Sequence, residues 1–547
     1  VASNPASPDA EKLNQSWEAI VSDVFDIIVV GSGANGLIAG SYLAKAGKKV
    51  LVLERNAWFG GGVVTREIVK PGFHHDQHSA THIMIQANPL IRNDELGLIS
   101  KFGLKYIYPE GIFSTIFDDQ TSIVSYSDLD KTCQSIAAIS PRDAEAYRRF
   151  TMKGMETLKM LASSFFVPPT PQGAFWSLLD QSPQGRELMR IMQCSMLDLA
   201  NEWFESDKLK VHLLKFACET LVGPEEKGTG MVLYMLPGFV HTFPSGIPEG
   251  GSGALSRALV RCLESHGAEI RTSATVEKIL VEGGRATGVR LAGGETIRAK
   301  TAVIGQIHPR LLANFVDGLD EHLVENAKRT HPSSFVLTAA HFALNAPPQY
   351  RAGSEPGRVA LANFAPATLE RYRRVFDDFK YGDMSRDQII AAHCNSNFDP
   401  SRAPAGKGCL TLFGFAPSAL RDGGLAAWDD KKDEYGDLLL NAYRHYASNL
   451  DDSNIIDWTF ETPLDIQRYS PTFQGGDVSG VGKYFYQLGG HRPTPELSQY
   501  AVPGVNGLYL AGTFMHPPGG VTGGGRATAI KICRDLKIDF DKMVAQR

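Results

Sequence analysis

The chain has 547 residues, 43% of them hydrophobic and 21% charged, and a formal charge of −5. That is ordinary globular composition, long enough for two or more structural domains. The slight acidity and the lack of a long basic run give no support to a nucleic-acid partner, and no run nears the roughly 18 apolar residues a spanning helix needs. At the start of the chain, residues 1–25 hold no basic segment followed by an apolar core, so no secretory signal is expected. Ser7-Pro8 reads as a helix start, with Leu13, Trp17, Ile20, Val21 and Val24 at helical spacing. A short helix packed on the surface is the expectation there, while peripheral contact with a membrane stays open. The seven cysteines are scattered without a Cys-x-x-Cys pair. They predict reduced thiols and a cytoplasmic setting.

Residues 26–30, Asp-Ile-Ile-Val-Val, form an apolar run suited to a strand buried on both faces of a parallel sheet. Gly31, Gly33 and Gly36 follow in G-x-G-x-x-G spacing, then a helical pattern to Gly47 and a second apolar run ending at Glu54. This is one βαβ unit. Gly31 permits the tight turn, Gly33 lets backbone approach a pyrophosphate, and Gly36 lets the helix close on the strand. The helix start offers unpaired N–H groups and positive potential to phosphates. Glu54 is placed to accept hydrogen bonds from ribose hydroxyls. Together these predict a dinucleotide site.

After Glu54-Arg55 the chain reaches Gly60-Gly61-Gly62 and then Val63-Val64-Thr65-Arg66-Glu67. Near the other end, Gly507-Leu-Tyr-Leu-Ala-Gly512 reads as a strand closing on a glycine. It is followed by Thr513-Phe-Met-His516-Pro-Pro-Gly-Gly520-Val521-Thr522 and a second glycine-lined helix start. These motifs resemble the phytoene desaturase and carotenoid ketolase-like branch of the amine oxidase superfamily, close to its pyridine-nucleotide-disulphide-oxidoreductase-domain-2 members. The resemblance implies FAD as cofactor, held by Gly31, Gly33, Gly36, Glu54, Arg55, Gly60, Gly61, Val276, Gly512, Thr513, Gly520, Val521 and Thr522. Val276 falls where the family's backbone meets adenine, and the C-terminal helix where it points at the ribityl–pyrophosphate and the flavin edge. Gly62 replaces the arginine common after the glycine pair, and Pro518 replaces a glycine.

The fold class implied is α/β: a discontinuous Rossmann-like FAD-binding domain with an inserted mixed α+β substrate domain. Residues 1–24 form an extension, 25–100, 245–310 and 470–547 the FAD-binding domain, and 101–244 with 311–469 the substrate domain. Residues 248–253 open a helix, and 276–281 with 286–291 read as a hairpin. Residues 100–245 read as mostly helical, with Ser140-Pro141 as a start and Gly154 weakening the pattern. The aromatic stretch 165–176 reads as buried packing or as an exposed apolar lip. Residues 476–482 are glycine-rich, but no apolar strand leads into them.

Four histidines crowd residues 74–82. The family's Gly-Phe-x-x-Asp segment runs along the flavin, and Gly72, Phe73 and Asp76 fit it. His78 and His82 could therefore wall the cavity and move a proton near neutral pH, as could His516. Alternatively they are satisfied structural rings. Metal is not expected, because no carboxylate or thiolate partners can be assigned. The resemblance implies chemistry at C–C or C=C bonds of an apolar small molecule, with electrons passing to oxygen, a quinone or another acceptor. Two rivals stand beside it: a redox-neutral hydratase or isomerase needing reduced FAD, and a non-catalytic prenyl-lipid escort. The substrate and the oligomeric state are not legible.

Overall fold

The computed structural model describes residues 24–546, apart from the side chains of residues 162 and 163. The helix expected around Leu13 and Trp17 lies outside that range. β1 (Val24–Val30), α1 (Ala34–Lys45) and β2 (Val50–Leu53) open the fold, with β1 and β2 parallel and Ile27 opposite Val50. The chain then enters a second sheet through the hairpin β3 (Gly111–Phe117) and β4 (Ser122–Tyr126). Helices α2 (Pro141–Phe165), α3 (Asp207–Ala217) and α4 (Gly230–Thr242) follow. Helix α5 (Gly253–Ser265) leads back to the first sheet and supplies β5 (Glu269–Arg271), β6 (Val276–Glu282), β7 (Arg285–Leu291) and β8 (Thr296–Gly305). The second sheet is then completed by β9 (Val336–Leu344), β10 (Val359–Ala365), β11 (Ile390–His393), β12 (Gly408–Ala416) and β13 (Ile455–Glu461). β14 (Leu508–Leu510) and α6 (Gly525–Asp535) end in the first sheet's territory.

The first sheet runs β6-β7-β8-β1-β2-β5, and β14 pairs with the end of β8, Leu508 opposite Val303. β1 is flanked in parallel by β8 and β2. Ile27, Ile28 and Val29 are wholly buried, because apolar clusters cover both faces of the sheet. The second sheet runs β13-β9-β12-β11-β10-β3-β4, antiparallel except for β10 beside β3. No helix among the described residues is long and apolar enough to cross a membrane.

The helical reading of residues 100–245 is corrected at its start. Gly-Ile-Phe-Ser-Thr-Ile-Phe is buried at all seven positions and forms β3. Such an apolar, β-branched run cannot be told from a buried helix turn by periodicity alone. What separates it is the turn at Gln120, whose φ of 63° and N–H bond to the Phe117 carbonyl fold β4 back. Gly154 and Gly238 mark where α2 crosses α4. A Cβ on Gly154 would sit 2.7 Å from the Tyr234 carbonyl, and one on Gly238 2.7 Å from the Gly154 backbone. The glycine that weakens the helical pattern is what lets two helices touch.

Candidate active site

The first glycine turn is held from three sides. The Gly31 N–H donates to the Leu53 carbonyl at 2.7 Å, and Gly31 has φ +94°. Gly61, with φ +58°, packs its backbone so closely that a Cβ would meet Gly33 Cα at 2.8 Å. Gln306, directly after β8, donates Nε2 to the Gly31 and Gly33 carbonyls at 2.5 and 3.2 Å. A Cβ on Gly36 would lie 2.1 Å from that amide. Glu54 ends β2 inside the protein. Its Oε2 accepts from the Ser32 N–H and hydroxyl at 3.0 and 2.7 Å, and its Oε1 from the Asn56 N–H at 2.8 Å. A carboxylate has about four acceptor positions, so capacity remains for a ligand hydroxyl.

The second glycine loop meets the first at their helix starts. Asn35 Oδ1 accepts from the Gly525 N–H at 3.2 Å, and a Cβ on Gly525 would lie 2.0 Å from the Asn35 carbonyl. Asn88 Nδ2 donates to the Thr522 and Gly523 carbonyls at 2.9 and 3.2 Å. Arg526 clamps Glu95 at 2.7 and 2.8 Å, and the Tyr42 hydroxyl donates to the same carboxylate at 2.6 Å. The start of α5 is filled instead by the protein's own groups. The Ser252 N–H donates to Asp76 Oδ1 at 2.8 Å and the Gly253 N–H to Thr65 Oγ1 at 2.9 Å. Asp76 in turn pairs with buried Arg402 at 2.9 Å.

One cavity of about 850 Å³ runs along this cradle and into an apolar chamber of the substrate domain. Gly31, Gly33, Glu54, Arg55, Gly61 and Val276 line it. So do Gly512, Thr513, Gly520, Val521 and Thr522, whereas Gly36 and Gly60 stand behind the wall and hold its backbone. Arg55 also donates to the Arg468 and Tyr469 carbonyls at 3.2 and 3.3 Å, tying the cradle to the substrate domain. Leu158, Phe216, Met235, Phe239 and Phe413 wall the chamber. Phe165 and Phe175 line it too and Phe166 is buried beside them, so these aromatics face inward rather than forming an exposed lip.

The clustered histidines turn four ways. Only two residues there, His75–Asp76, form a strand, paired with Thr65–Arg66, so the alternation expected of a longer strand fails. His74 lies beside Glu67 at 3.7 Å. His75 is buried against His341, with Cys409 Sγ 3.3 Å from its Nδ1. His82 is correspondingly corrected as a cavity residue: it does not line the cavity. Its Nδ1 bonds the Tyr106 hydroxyl at 3.0 Å and its Nε2 the Ser252 hydroxyl at 3.1 Å. Burial pushes its pKa down to about 3. His78 does line the cavity, edge-on to Tyr469 at 4.6 Å, and its Nε2 has no partner within the protein. Burial lowers its pKa, opposed by the Glu461 carboxylate. His516 also lines the cavity, and burial with the nearby Arg492 charge holds its pKa near 4. Among the described residues no group of three His, Cys, Asp or Glu could hold a metal.

Three residues of this site have no sequence signature: Gln306, Lys483 and Arg492. Arg492 is fully buried and donates to the backbone carbonyls of Met515, Val481 and Thr513 at 3.1, 2.9 and 3.0 Å. Their partners lie on distant loops, so only the folded chain brings them together.

Paired helix starts at a parallel sheet, a buried acid closing β2 and an adjoining apolar chamber define a flavin-dependent oxidoreductase. The residues fit FAD, because the close approaches at Gly33, Gly61 and Gly525 keep side chains out of the cradle, and the Thr513 hydroxyl on its wall has no protein partner. Comparison with known proteins agrees. The pattern of the flavin containing amine oxidoreductase family matches residues 127–537, and that of an NAD(P)-binding Rossmann-like domain matches residues 29–93. The pyridine nucleotide-disulfide oxidoreductase domain-containing protein 2 of Rattus norvegicus is 30% identical, over 97% of each chain. A limonene dehydrogenase polypeptide of Castellaniella defragrans is 27% identical, over 95% of this chain and 98% of that one. A putrescine oxidase variant shares the fold, with a TM-score of 0.60 and 15% identity over 94% of this chain and 99% of that chain. The chain belongs to the flavin containing amine oxidoreductase family and is an FAD-dependent enzyme.

Proposed function

We propose that this enzyme dehydrogenates an apolar, unsaturated small molecule of terpenoid size at adjacent carbons. The observation that carries the reading is the continuity of the cofactor cradle with a chamber walled by Leu158, Phe216, Met235, Phe239 and Phe413. Such a wall orients a hydrocarbon by shape and excludes water. The relative named as a limonene dehydrogenase supports a terpene-like substrate.

When bound, FAD supplies hydride acceptance. Two C–H bonds break and one C=C bond forms: one hydrogen leaves as hydride and the other as a proton, and the two electrons pass on to oxygen, a quinone or another acceptor. His78 is our choice for the proton. It lies on the cavity wall, its Nε2 is uncommitted, and burial keeps the ring neutral and ready to accept. Glu461, beside it, favours the imidazolium once formed. His516 is the second candidate, and its lower pKa makes it the weaker base.

The test is purification, a visible spectrum, then anaerobic mixing with monoterpenes, carotenoids, unsaturated fatty acids and amines. Flavin bleaching by a terpene or another unsaturated hydrocarbon is expected. Bleaching by amines alone, or turnover only after pre-reduction, would overturn the proposal.

A further inference from the structure

Lys483 places an ammonium group on the wall of an otherwise apolar chamber. Its Nζ donates to the Thr220 carbonyl at 3.0 Å and to the Ser479 hydroxyl at 3.1 Å, leaving one of its three N–H bonds uncommitted. Among the described residues no carboxylate lies within ion-pairing distance of it. The two nearest carboxylates have other duties. Glu219, also on the cavity wall, is paired with Lys215, and buried Asp477 accepts from the Ser333 and Ser479 N–H groups at 2.8 Å each. The remaining charged neighbour is Arg492, of like sign. The tip of this side chain is thus a desolvated cation with a free donor and no anion. That arrangement is costly when empty and favourable when an anion completes it.

We infer that Lys483 anchors a carboxylate on the substrate, so that the chamber takes an apolar molecule bearing an acid group. This rests on the proposed reading of the chamber as the substrate site and specifies it further. The hydrocarbon part would lie along Phe216, Phe239 and Phe413, with the carboxylate bridging the Lys483 ammonium and the Ser479 hydroxyl. Glu219 stands on the same wall and would turn away a second negative charge, which favours a monocarboxylate.

Isothermal titration of the FAD-loaded protein with decanoate, 1-decanol and decylamine tests this. Decanoate should bind roughly 10- to 100-fold more tightly than 1-decanol, the range of a charge-assisted hydrogen bond, and decylamine should bind worst. Lys483→Met should erase the preference while leaving 1-decanol affinity unchanged, and Lys483→Arg should keep most of it. Flavin content and circular dichroism report folding of each variant. Equal affinity for decanoate and 1-decanol, an unchanged preference in Lys483→Met, or no binding of any of the three overturns the anchor. A protein that purifies without flavin overturns the flavoenzyme reading instead, and decanoate titration of that protein still judges Lys483.

Discussion

Asn35 and Gly525, 490 positions apart, are joined by a hydrogen bond of 3.2 Å between the Asn35 amide oxygen and the Gly525 N–H. The starts of α1 and α6 are thereby fixed to each other, and their unpaired N–H groups face one cavity. A methyl group on Gly525 would collide with the Asn35 carbonyl at 2.0 Å. Gly525→Ala should therefore spread the two helix starts. We expect the ratio of flavin to protein absorbance to fall severalfold and stability to drop by about 1–3 kcal/mol. An unchanged ratio would show that the two helix starts need not touch to hold the cofactor.

Glu54 gives a sharper test of the cradle. Glu54→Ala strands the Ser32 N–H and hydroxyl and the Asn56 N–H. Loss of charge-assisted bonds of this kind costs about 1.5–3 kcal/mol each. FAD affinity, followed by quenching of flavin fluorescence, should weaken at least about tenfold. Undiminished affinity would remove Glu54 from the site.

His78 and His82 should behave oppositely. His82→Phe leaves the Tyr106 and Ser252 hydroxyls unpaired, so the expected effect is a stability loss of about 1–3 kcal/mol with turnover per folded molecule little changed. His78→Phe should retain flavin and stability while slowing anaerobic bleaching by about 10²–10⁴-fold. Stopped-flow spectroscopy separates the two. Normal bleaching in His78→Phe would hand the proton to another group.

Acid should unfold this protein early. His82 and His212 are wholly buried, with pKa values held near 3 by burial. The unfolded chain takes up protons below about 6.5 while these rings cannot. Their contribution is intact above that pH and is lost as pH falls from about 6.5 toward 3, at about 2 kcal/mol each by pH 5. Glu461, held near 2 chiefly by its bond to His341, adds a further loss between about 4.5 and 2. Urea titrations at pH 7.5, 6 and 5 should show this decline, and His82→Gln should flatten it. A stability flat from pH 7.5 to 5 would contradict the assignment.

Asp76 should be the most sensitive carboxylate in the fold. It joins the Thr65 hydroxyl, the Ser252 N–H and buried Arg402. Asp76→Asn leaves the Arg402 cation without its anion, and the expected destabilisation is about 3–5 kcal/mol. A midpoint shift in urea too small for that would mean water reaches Arg402.

The βαβ opening is legible in the sequence because its parts are local: strand, turn, helix and acid follow within thirty-odd residues, and each glycine meets a demand a few positions away. The histidine cluster is not. Its spacing suggests shared faces, yet His82 is settled by Tyr106 and Ser252, 24 and 170 positions distant. Lys483 hides for a related reason. Its segment is glycine-rich and lacks periodicity, and its partner Thr220 lies 263 positions away on the far wall. The β3 run misleads because seven buried positions in a row carry no alternation.

The Asn35–Gly525 bond also bears on how the protein is made. A ribosome releases Asn35 long before it reaches Gly525, and Leu508 must arrive before β8 gains its neighbour at Val303. Until then the nascent chain carries half a cradle and an open strand edge, exposed to chaperones and to other chains. FAD capture is therefore a late event, and a chain stopped just short of α6 would have its substrate chamber but no grip on the cofactor.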